Sequence, residues 1–183
     1  MSRIRGKDTT PERIIRSVLR RLGYRFRLHV RIPVEMRSAE RGMRNGPAIR
    51  RVRPSTLGSR PSTPHFITPD IVLMKLRIAI FVHGCFWHRH RGCKNCTTPT
   101  HRRAWWLAKL NGNAMRDKLH QRALRELGWR PMVIWECETE KPEKLARLQT
   151  RLEQTLSATK KRPSSAVTPL RRVDKDRKAG KKS

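Results

Sequence analysis

The stretch that most constrains this chain is residues 83–93, which read HGCFWHRHRGC. These eleven residues hold two cysteines, three histidines and two adjacent aromatic side chains. They follow residues 78–82 (IAIFV), a short apolar run rich in β-branched side chains, which predicts a buried strand. The dense group therefore lies at the end of a strand, where a sheet commonly carries its chemistry.

Charge is the second constraint. The 183 residues carry a formal net charge of +30, and only 36% of them are hydrophobic. A charge of this size and sign favours a polyanionic partner, above all nucleic acid. No apolar run approaches the roughly 20 residues of a membrane span, and the first residues do not resemble a signal peptide. We therefore expect a cytoplasmic, nucleoid-associated protein with reduced cysteines and no membrane partner.

The order of predicted elements is helix, strand, strand, strand, helix, strand, helix. Capping signals and helical spacing predict helices from Thr9 or Thr10 to Gly23, at Ala104–Leu127 and at Pro142–Leu156. Alternating or short apolar runs predict strands at Tyr24–Val30, Pro69–Leu73, Arg77–Val82 and Arg130–Trp135. This order predicts an α/β fold with a mixed sheet flanked by helices on both sides.

Two segments show no sustained periodicity. Residues 31–68 are rich in Arg, Pro, Ser and Gly, and we expect a disordered basic insertion there, since ordinary connections are much shorter. Residues 157–183 contain ten Lys and Arg against two Asp, which indicates a disordered basic tail. Residues 1–156 are then expected to form one domain that contains the insertion.

Cysteine and histidine close together in a reduced protein favour zinc over a disulfide. Structural zinc takes four such ligands at tetrahedral geometry. The candidates are Cys85, His88, His90, Cys93, Cys96 and Cys137. One set would fasten the loop to the next strand: Cys85, His90, Cys93 and Cys137. Cys96 remains a rival fourth ligand because it forms a Cys-x-x-Cys pair with Cys93.

Asp70 opens a strand, where a carboxylate can bind Mg²⁺ for phosphodiester hydrolysis. Nucleases of the PD-(D/E)xK class begin in this way, but the acidic-x-Lys expected on the following strand is absent, since residues 80–83 read IFVH. His83 or His88 can replace the lysine as general base. Glu12, in the first turn of the first helix, either holds a metal-bound water or only caps the helix.

Five segments together resemble the very-short-patch repair (Vsr) DNA mismatch endonucleases. They are residues 2–12 (SRIRGKDTTPE), 24–30 (YRFRLHV), 69–73 (PDIVL), 81–88 (FVHGCFWH) and 127–137 (LGWRPMVIWEC). The resemblance implies a variant PD-(D/E)xK fold and a Mg²⁺-dependent enzyme that nicks one DNA strand. The implied cut lies 5′ of the thymine in a T:G mismatch, which arises when 5-methylcytosine deaminates.

The resemblance also implies catalytic roles. Asp70 resembles the Mg²⁺ ligand, together with the main-chain carbonyl of Val82. His88 resembles the general base. Glu12 and His83 resemble residues that act through water on the metal or on the phosphate.

Further roles follow for zinc and DNA. The positions that match the structural zinc ligands are Cys85, His90, Cys93 and Cys137. Phe86 and Trp87 resemble aromatics that wedge into the duplex beside the mismatch, and Met1 falls where the family has a third wedge residue. Unstacking costs least at a mispaired step, so such a wedge is a source of selectivity. The implied partners are double-stranded DNA and mismatch-repair proteins, and we expect a monomer.

Two alternatives remain open. The insertion at residues 31–68 could displace Asp70 and leave a zinc-stabilised DNA-binding protein with impaired catalysis. A related nuclease with a different target is the other alternative. The presence of both Asp70 and His88 favours the mismatch nickase over the impaired protein.

Overall fold

The computed structural model describes residues 8–34 and 65–161. The helices are α1 (Thr10–Arg21), α2 (Arg103–Glu126) and α3 (Pro142–Lys161). The strands are β1 (Arg27–Leu28), β2 (Ile32–Val34), β3 (His65–Ile67), β4 (Ile71–Leu73), β5 (Ile78–His83) and β6 (Arg130–Trp135). Short 3₁₀ turns follow β4 and β6, at Met74–Leu76 and Glu136–Glu138. The expected α/β class with a mixed sheet and flanking helices is confirmed.

The main sheet has the strand order β1-β4-β5-β6. β4 is antiparallel to both of its neighbours, whereas β5 and β6 are parallel and pair Val82 with Ile134. A parallel pair needs a crossover connection, and α2 supplies it. The carboxyl ends of β5 and β6 therefore lie beside the amino end of β4. We call this end of the strands the catalytic edge of the sheet.

The core has two halves, one on each face of the main sheet. Ile71 and Leu73 of β4 belong to the half that includes α1 and α3, whereas Val72 belongs to the half that includes α2. This division follows the two-residue period of a strand. Fully buried Leu152 of α3 and Leu124 of α2 mark the two halves. Both faces of β4 are covered, which explains its continuous apolar sequence.

The expectation that residues 31–68 lack regular structure is wrong at both ends. β2 and β3 pair antiparallel, with Ile32 opposite Ile67 and Val34 opposite His65. Ile32, Val34 and Ile67 are buried against the α2 side of the core. Burial of these apolar side chains offsets the loss of conformational entropy when the two strands form, although the surrounding composition is basic and rich in proline. Residues 35–64 of the proposed insertion lie outside the described residues.

Two further boundaries differ from the expectation. Only Arg27 and Leu28 pair within the segment predicted as a strand at residues 24–30, and His29 has a positive φ of 48°, which ends the extended backbone. α3 continues to Lys161, five residues beyond its predicted end. Thr159 is buried there and accepts a hydrogen bond from Arg130. Residues 162–183 of the predicted tail lie outside the described residues. None of the described helices is both long enough and apolar enough to cross a membrane.

Candidate active site

Asp70 lies directly before β4, at the edge where β5 ends. Its main-chain N–H donates to Ile80 O (3.1 Å), and its carboxylate Oδ2 accepts the Val82 N–H (2.8 Å). Burial raises the pKa of Asp70, the Val82 hydrogen bond opposes this rise, and the nearby charge of Glu12 adds to it. A carboxylate whose charge is disfavoured by its surroundings is suited to a cation.

Glu12 is buried in the first turn of α1. Its carboxylate accepts hydrogen bonds from Asp8 N–H (3.1 Å), the Thr9 hydroxyl (2.9 Å) and Arg16 Nη2 (2.8 Å). The Arg16 guanidinium also pairs with Asp8, and this hydrogen bond and charge lower the pKa of the Asp8 carboxyl. Glu12 therefore combines bonds at the start of the helix with a buried ion pair to Arg16, and its charge acts on Asp70.

His29 joins this carboxylate group from the end of β1. Its main-chain N–H donates to Asp70 O (3.3 Å). Ligand atoms of Asp8, Glu12 and His29 all lie within 4.8 Å of one another. His29 and His88 both act on Asp70 as nearby charges that lower its pKa. The structure thus gathers residues from α1, β1, β4 and the loop after β5 around one carboxylate.

His83 and His88 form a pair with Asp117 of α2. The two imidazole rings are stacked, with centroids 3.9 Å apart and planes 10° from parallel. Asp117 Oδ2 lies 2.6 Å from His88 Nδ1 and 4.0 Å from His83 Nδ1. Burial, followed by the charge of His88, lowers the pKa of His83 to about 4, while Asp117 opposes this shift. His83 is therefore neutral near pH 7.

Asp117 determines which nitrogen of His88 can take a proton. A carboxylate accepts hydrogen bonds, so the close contact at Nδ1 assigns the proton of neutral His88 to that nitrogen. Nε2 then carries the free lone pair. A main-chain bond from His88 N–H to Gly84 O (3.1 Å) closes the turn that holds the ring at the end of β5. The arrangement of an oriented base and its carboxylate is suited to proton abstraction from water.

A second cluster lies in the same loop and after β6. The side-chain ligand atoms of four residues lie within 4.8 Å of one another: Cys85, His90, Cys93 and Cys137. His90 Nδ1 is 3.5 Å from Cys85 Sγ and 3.4 Å from Cys137 Sγ. Three thiols and one imidazole form the ligand set typical of a structural zinc site. Cys96, the rival ligand, is not in this group, although its N–H donates to Cys93 O (3.0 Å).

Burial and hydrogen bonding shift the thiols of the Cys/His cluster in opposite directions, since the main-chain hydrogen bond from Asn95 lowers the pKa of Cys93. Burial raises the pKa of the Cys85 and Cys137 thiols, because their thiolates would be poorly solvated without a counter-charge. A bound cation supplies that charge and deprotonates coordinating thiols. The donor chemistry of the cluster therefore fits zinc.

Aromatic side chains extend from the loop onto α2. Phe86 is edge-on to Trp87 (5.1 Å between centroids) and to Trp106 (5.4 Å), which in turn contacts Trp105. Trp87 is 38% exposed and Trp105 is 49% exposed, both unusually high for large apolar residues. Asn113 Nδ2 donates to the carbonyl of Trp87 (3.1 Å) and braces the loop. Met1, the third predicted wedge, lies outside the described residues.

Comparison with known proteins identifies the family of this chain. The family model described as DNA mismatch endonuclease Vsr matches residues 61–95. A type II nicking enzyme of Xanthomonas oryzae pv. oryzae, V.XorIIP, is 36% identical over 156 residues, which are 85% of this chain and 88% of that protein. The chain belongs to the Vsr family. The DNA mismatch endonuclease Vsr of Escherichia coli K12 is 43% identical over 88 residues, which are 47% of this chain and 56% of that enzyme. V.NmeAIP, a type II nicking enzyme of Neisseria meningitidis serogroup A, is 28% identical over 138 residues, 75% of each chain.

The Vsr family model covers only part of the candidate site. Residues 61–95 include Asp70, His83 and His88. Glu12 and Asp117 lie outside the matched residues. The packing of α1 and α2 on the sheet brings them to the same strand ends. The Vsr signature therefore marks β4, β5 and their loop, and the two helices complete the site.

Sequence reasoning missed Asp117, His29, Arg16 and the contact of Trp106 with the predicted wedge. Asp117 and Glu126 are the only acidic residues in α2, and this scarcity in a basic helix was the available signal. Trp106 lies four residues before Leu110, so its spacing predicts only an apolar helix face and not a contact with Phe86. Arg16 carried no signal, since it is one of many arginines in the chain.

Proposed function

We propose that this protein is a Mg²⁺-dependent endonuclease that nicks one DNA strand 5′ of the thymine in a T:G mismatch. The observation that carries the proposal is that Asp70 is hydrogen-bonded to Val82 near the end of β5, and that His88, which pairs with Asp117, lies in the loop that follows this strand. Membership of the Vsr family supports the mismatch as target. The relatives include the mismatch endonuclease Vsr of E. coli K12. We further propose that the fold is a variant of the PD-(D/E)xK class.

Asp70 and the main-chain carbonyl of Val82 would hold Mg²⁺, whose preferred ligands are oxygens. The hydrogen bond from Val82 N–H to Asp70 keeps the two residues adjacent, so the donor set fits. When bound, Mg²⁺ would polarise the phosphoryl oxygen and stabilise the charge of the leaving oxygen. Glu12 and neutral His83 would orient waters around the metal and the phosphate.

His88 would act as the general base. Nε2 accepts a proton from water, the water oxygen bonds to phosphorus, and the P–O bond to the leaving sugar oxygen breaks. The leaving oxygen takes a proton from solvent. The Asp117 carboxylate, 2.6 Å from Nδ1, stabilises the imidazolium that forms on His88. In hydrolases with a Ser-His-Asp triad, a carboxylate likewise orients the histidine base and stabilises its imidazolium, on unrelated folds.

Phe86 and Trp87 would supply mismatch selectivity. Wedging two aromatic side chains into a duplex requires unstacking, and this cost is smallest at a mispaired step. The exposure of Trp87 and its rigid contact with Phe86 are consistent with a preformed wedge. Zinc at the Cys/His cluster would hold the loop that carries both the wedge and the base.

The alternative of an impaired DNA-binding protein rests on displacement of Asp70 by residues 31–68. β4 is paired on both sides, and Asp70 N–H bonds to Ile80 O. The segment before it ends in the ordered pair β2–β3. This placement favours an active enzyme.

A nicking assay tests the proposal. Zinc-loaded protein is incubated with Mg²⁺ and end-labelled duplexes that contain T:G, a paired T:A or another mismatch at one position. We expect one nick 5′ of the thymine, only in the T:G duplex and only with divalent metal. Asp70→Ala should abolish the nick. Glu126→Gln, at an exposed position near the end of α2, should not. Absence of nicking on T:G would refute the activity, and nicking that survives Asp70→Ala would refute the metal assignment.

A further inference from the structure

A basic cavity of about 1120 Å³ lies at the end of the sheet opposite the candidate site. It is formed by the end of α1, the turn after β4, the start of β6 and the end of α3. Its wall includes five cationic side chains: Arg25, Lys75, Arg77, Arg130 and Lys160. No carboxylate is among its described lining residues.

A second cavity of about 570 Å³ continues the first along edge strand β1. The two share Arg25 and Lys75, and the second adds Arg20 and Arg27. It also has no acidic side chain in its described lining. We call the two cavities together the distal groove. The distal groove has seven cationic side chains in all. One small anion needs fewer, whereas a polyanion carries repeated charges that many cations can bind.

Arg77 and Arg130 have neutral hydrogen-bond partners, and none of the groove cations forms an ion pair among the described residues. Arg77 Nη2 donates to Leu127 O (3.0 Å), and its guanidinium lies 5.3 Å from the centroid of the Trp129 ring. Arg77 Nε is buried without a hydrogen-bond partner among the described residues. Arg130 donates to the hydroxyl of Thr159. The ion pairs within residues 8–34 and 65–161 involve other cations.

The distal groove is separate from the candidate active site. β5 begins next to Arg77 and ends at His83, so the Arg77 end of the groove lies about 17 Å from His83 along the strand. The nearest groove cation in sequence is Arg27, two residues before His29. α3 ends at the rim of the groove, where residues 162–183 begin. Those 22 residues contain eight Lys and Arg and two Asp. A tail of the same sign as the groove cannot neutralise it, and would add affinity for the same ligand.

We propose that the distal groove binds a second nucleic-acid segment through its backbone phosphates. The protein would then hold two stretches of DNA at opposite ends of its sheet, one at the catalytic edge and one in the groove. Cations that face phosphates without reading bases give sequence-independent, salt-dependent binding. The proposal does not depend on catalysis at the other end.

A bridging assay tests it. A short biotinylated T:G duplex on beads is saturated with protein without added Mg²⁺, and a fluorescent, fully paired duplex is then added. The groove variant is Arg25→Ala with Lys75→Ala, two exposed residues. The control variant, Arg125→Ala with Arg147→Ala, removes the same charge from exposed positions on α2 and α3. Far-ultraviolet circular dichroism and retention of each protein on the bead-bound duplex are measured for all proteins, to report on folding and on DNA binding at the catalytic edge.

We expect wild-type protein and the control variant to capture the second duplex, and the groove variant to lose most of the capture while it stays folded and bound to the beads. For the second duplex, the plot of log affinity against log salt should be less steep in the groove variant by about 1.8, for two lost phosphate contacts. Equal capture by both variants would overturn the proposal. Competition by inorganic phosphate or polyglutamate as effective as that by DNA of equal charge would also overturn it.

Discussion

Replacement of Asp117 by Asn tests the role of the carboxylate most directly. Asn keeps the shape and can still accept the Nδ1–H of His88, but it removes the negative charge 2.6 Å away. At that distance, attraction to an imidazolium is about 6 kcal/mol at an effective dielectric of 20 and about 1.6 kcal/mol in water. Because both side chains are partly exposed, we expect a loss of about 2–4 kcal/mol. The chemical step should then slow by roughly 30- to 900-fold.

Single-turnover nicking of the T:G duplex with excess enzyme measures this step. Glu126→Gln on the same helix is the matched control, since it makes the same chemical change in an exposed salt bridge with Arg122. It should nick at the wild-type rate. If Asp117→Asn nicks within two-fold of wild type while His88→Ala is inactive, Asp117 does not stabilise the imidazolium, and the assigned role is wrong.

Three further outcomes are expected. Cys93→Ser should lower bound zinc from about one per chain to nearly none, while Cys96→Ser should leave it unchanged by metal analysis. Asp70→Asn should stabilise the metal-free protein near pH 7 in urea unfolding, since burial raises the pKa of Asp70 and its charge opposes folding. That gain should vanish as the pH falls through the folded pKa, where wild-type Asp70 becomes neutral too. Leu152→Ala should cost about 2–5 kcal/mol of unfolding free energy, because Leu152 is fully buried in the core, whereas exposed Arg147→Ala should change it by less than about 0.5 kcal/mol.

The parts that could be predicted depend on local signals. β5 consists of the apolar run at residues 78–82 and ends at His83, the first residue of the 83–93 stretch. The position of His83 and His88 at a strand end could therefore be predicted from the sequence. The four-residue Cys/His group was also anticipated, because three of its members share one loop.

The parts that could not be predicted depend on contacts between distant segments. β2 and β3 are three residues each, too short for a periodic pattern, and their pairing joins residues 32–34 to residues 65–67. Asp117 reaches His88 only because α2 crosses over the sheet and buries Leu110 and Leu124, which fixes its rotation. The left-handed backbone of His29 that ends β1 could not be predicted, because a positive φ is uncommon in non-glycine residues even where the residue type tolerates it.

Trp135 links the two clusters, which makes the Cys/His site more than a brace. The parallel register places Trp135 opposite His83, and their rings meet edge-on at 5.5 Å. The indole also stacks on His90 at 4.1 Å and 3° from parallel. One ring therefore separates His90 from His83, and His83 in turn stacks on His88. Loss of the proposed zinc should therefore misplace the base even in molecules that remain folded, so that nicking falls before the helical signal does.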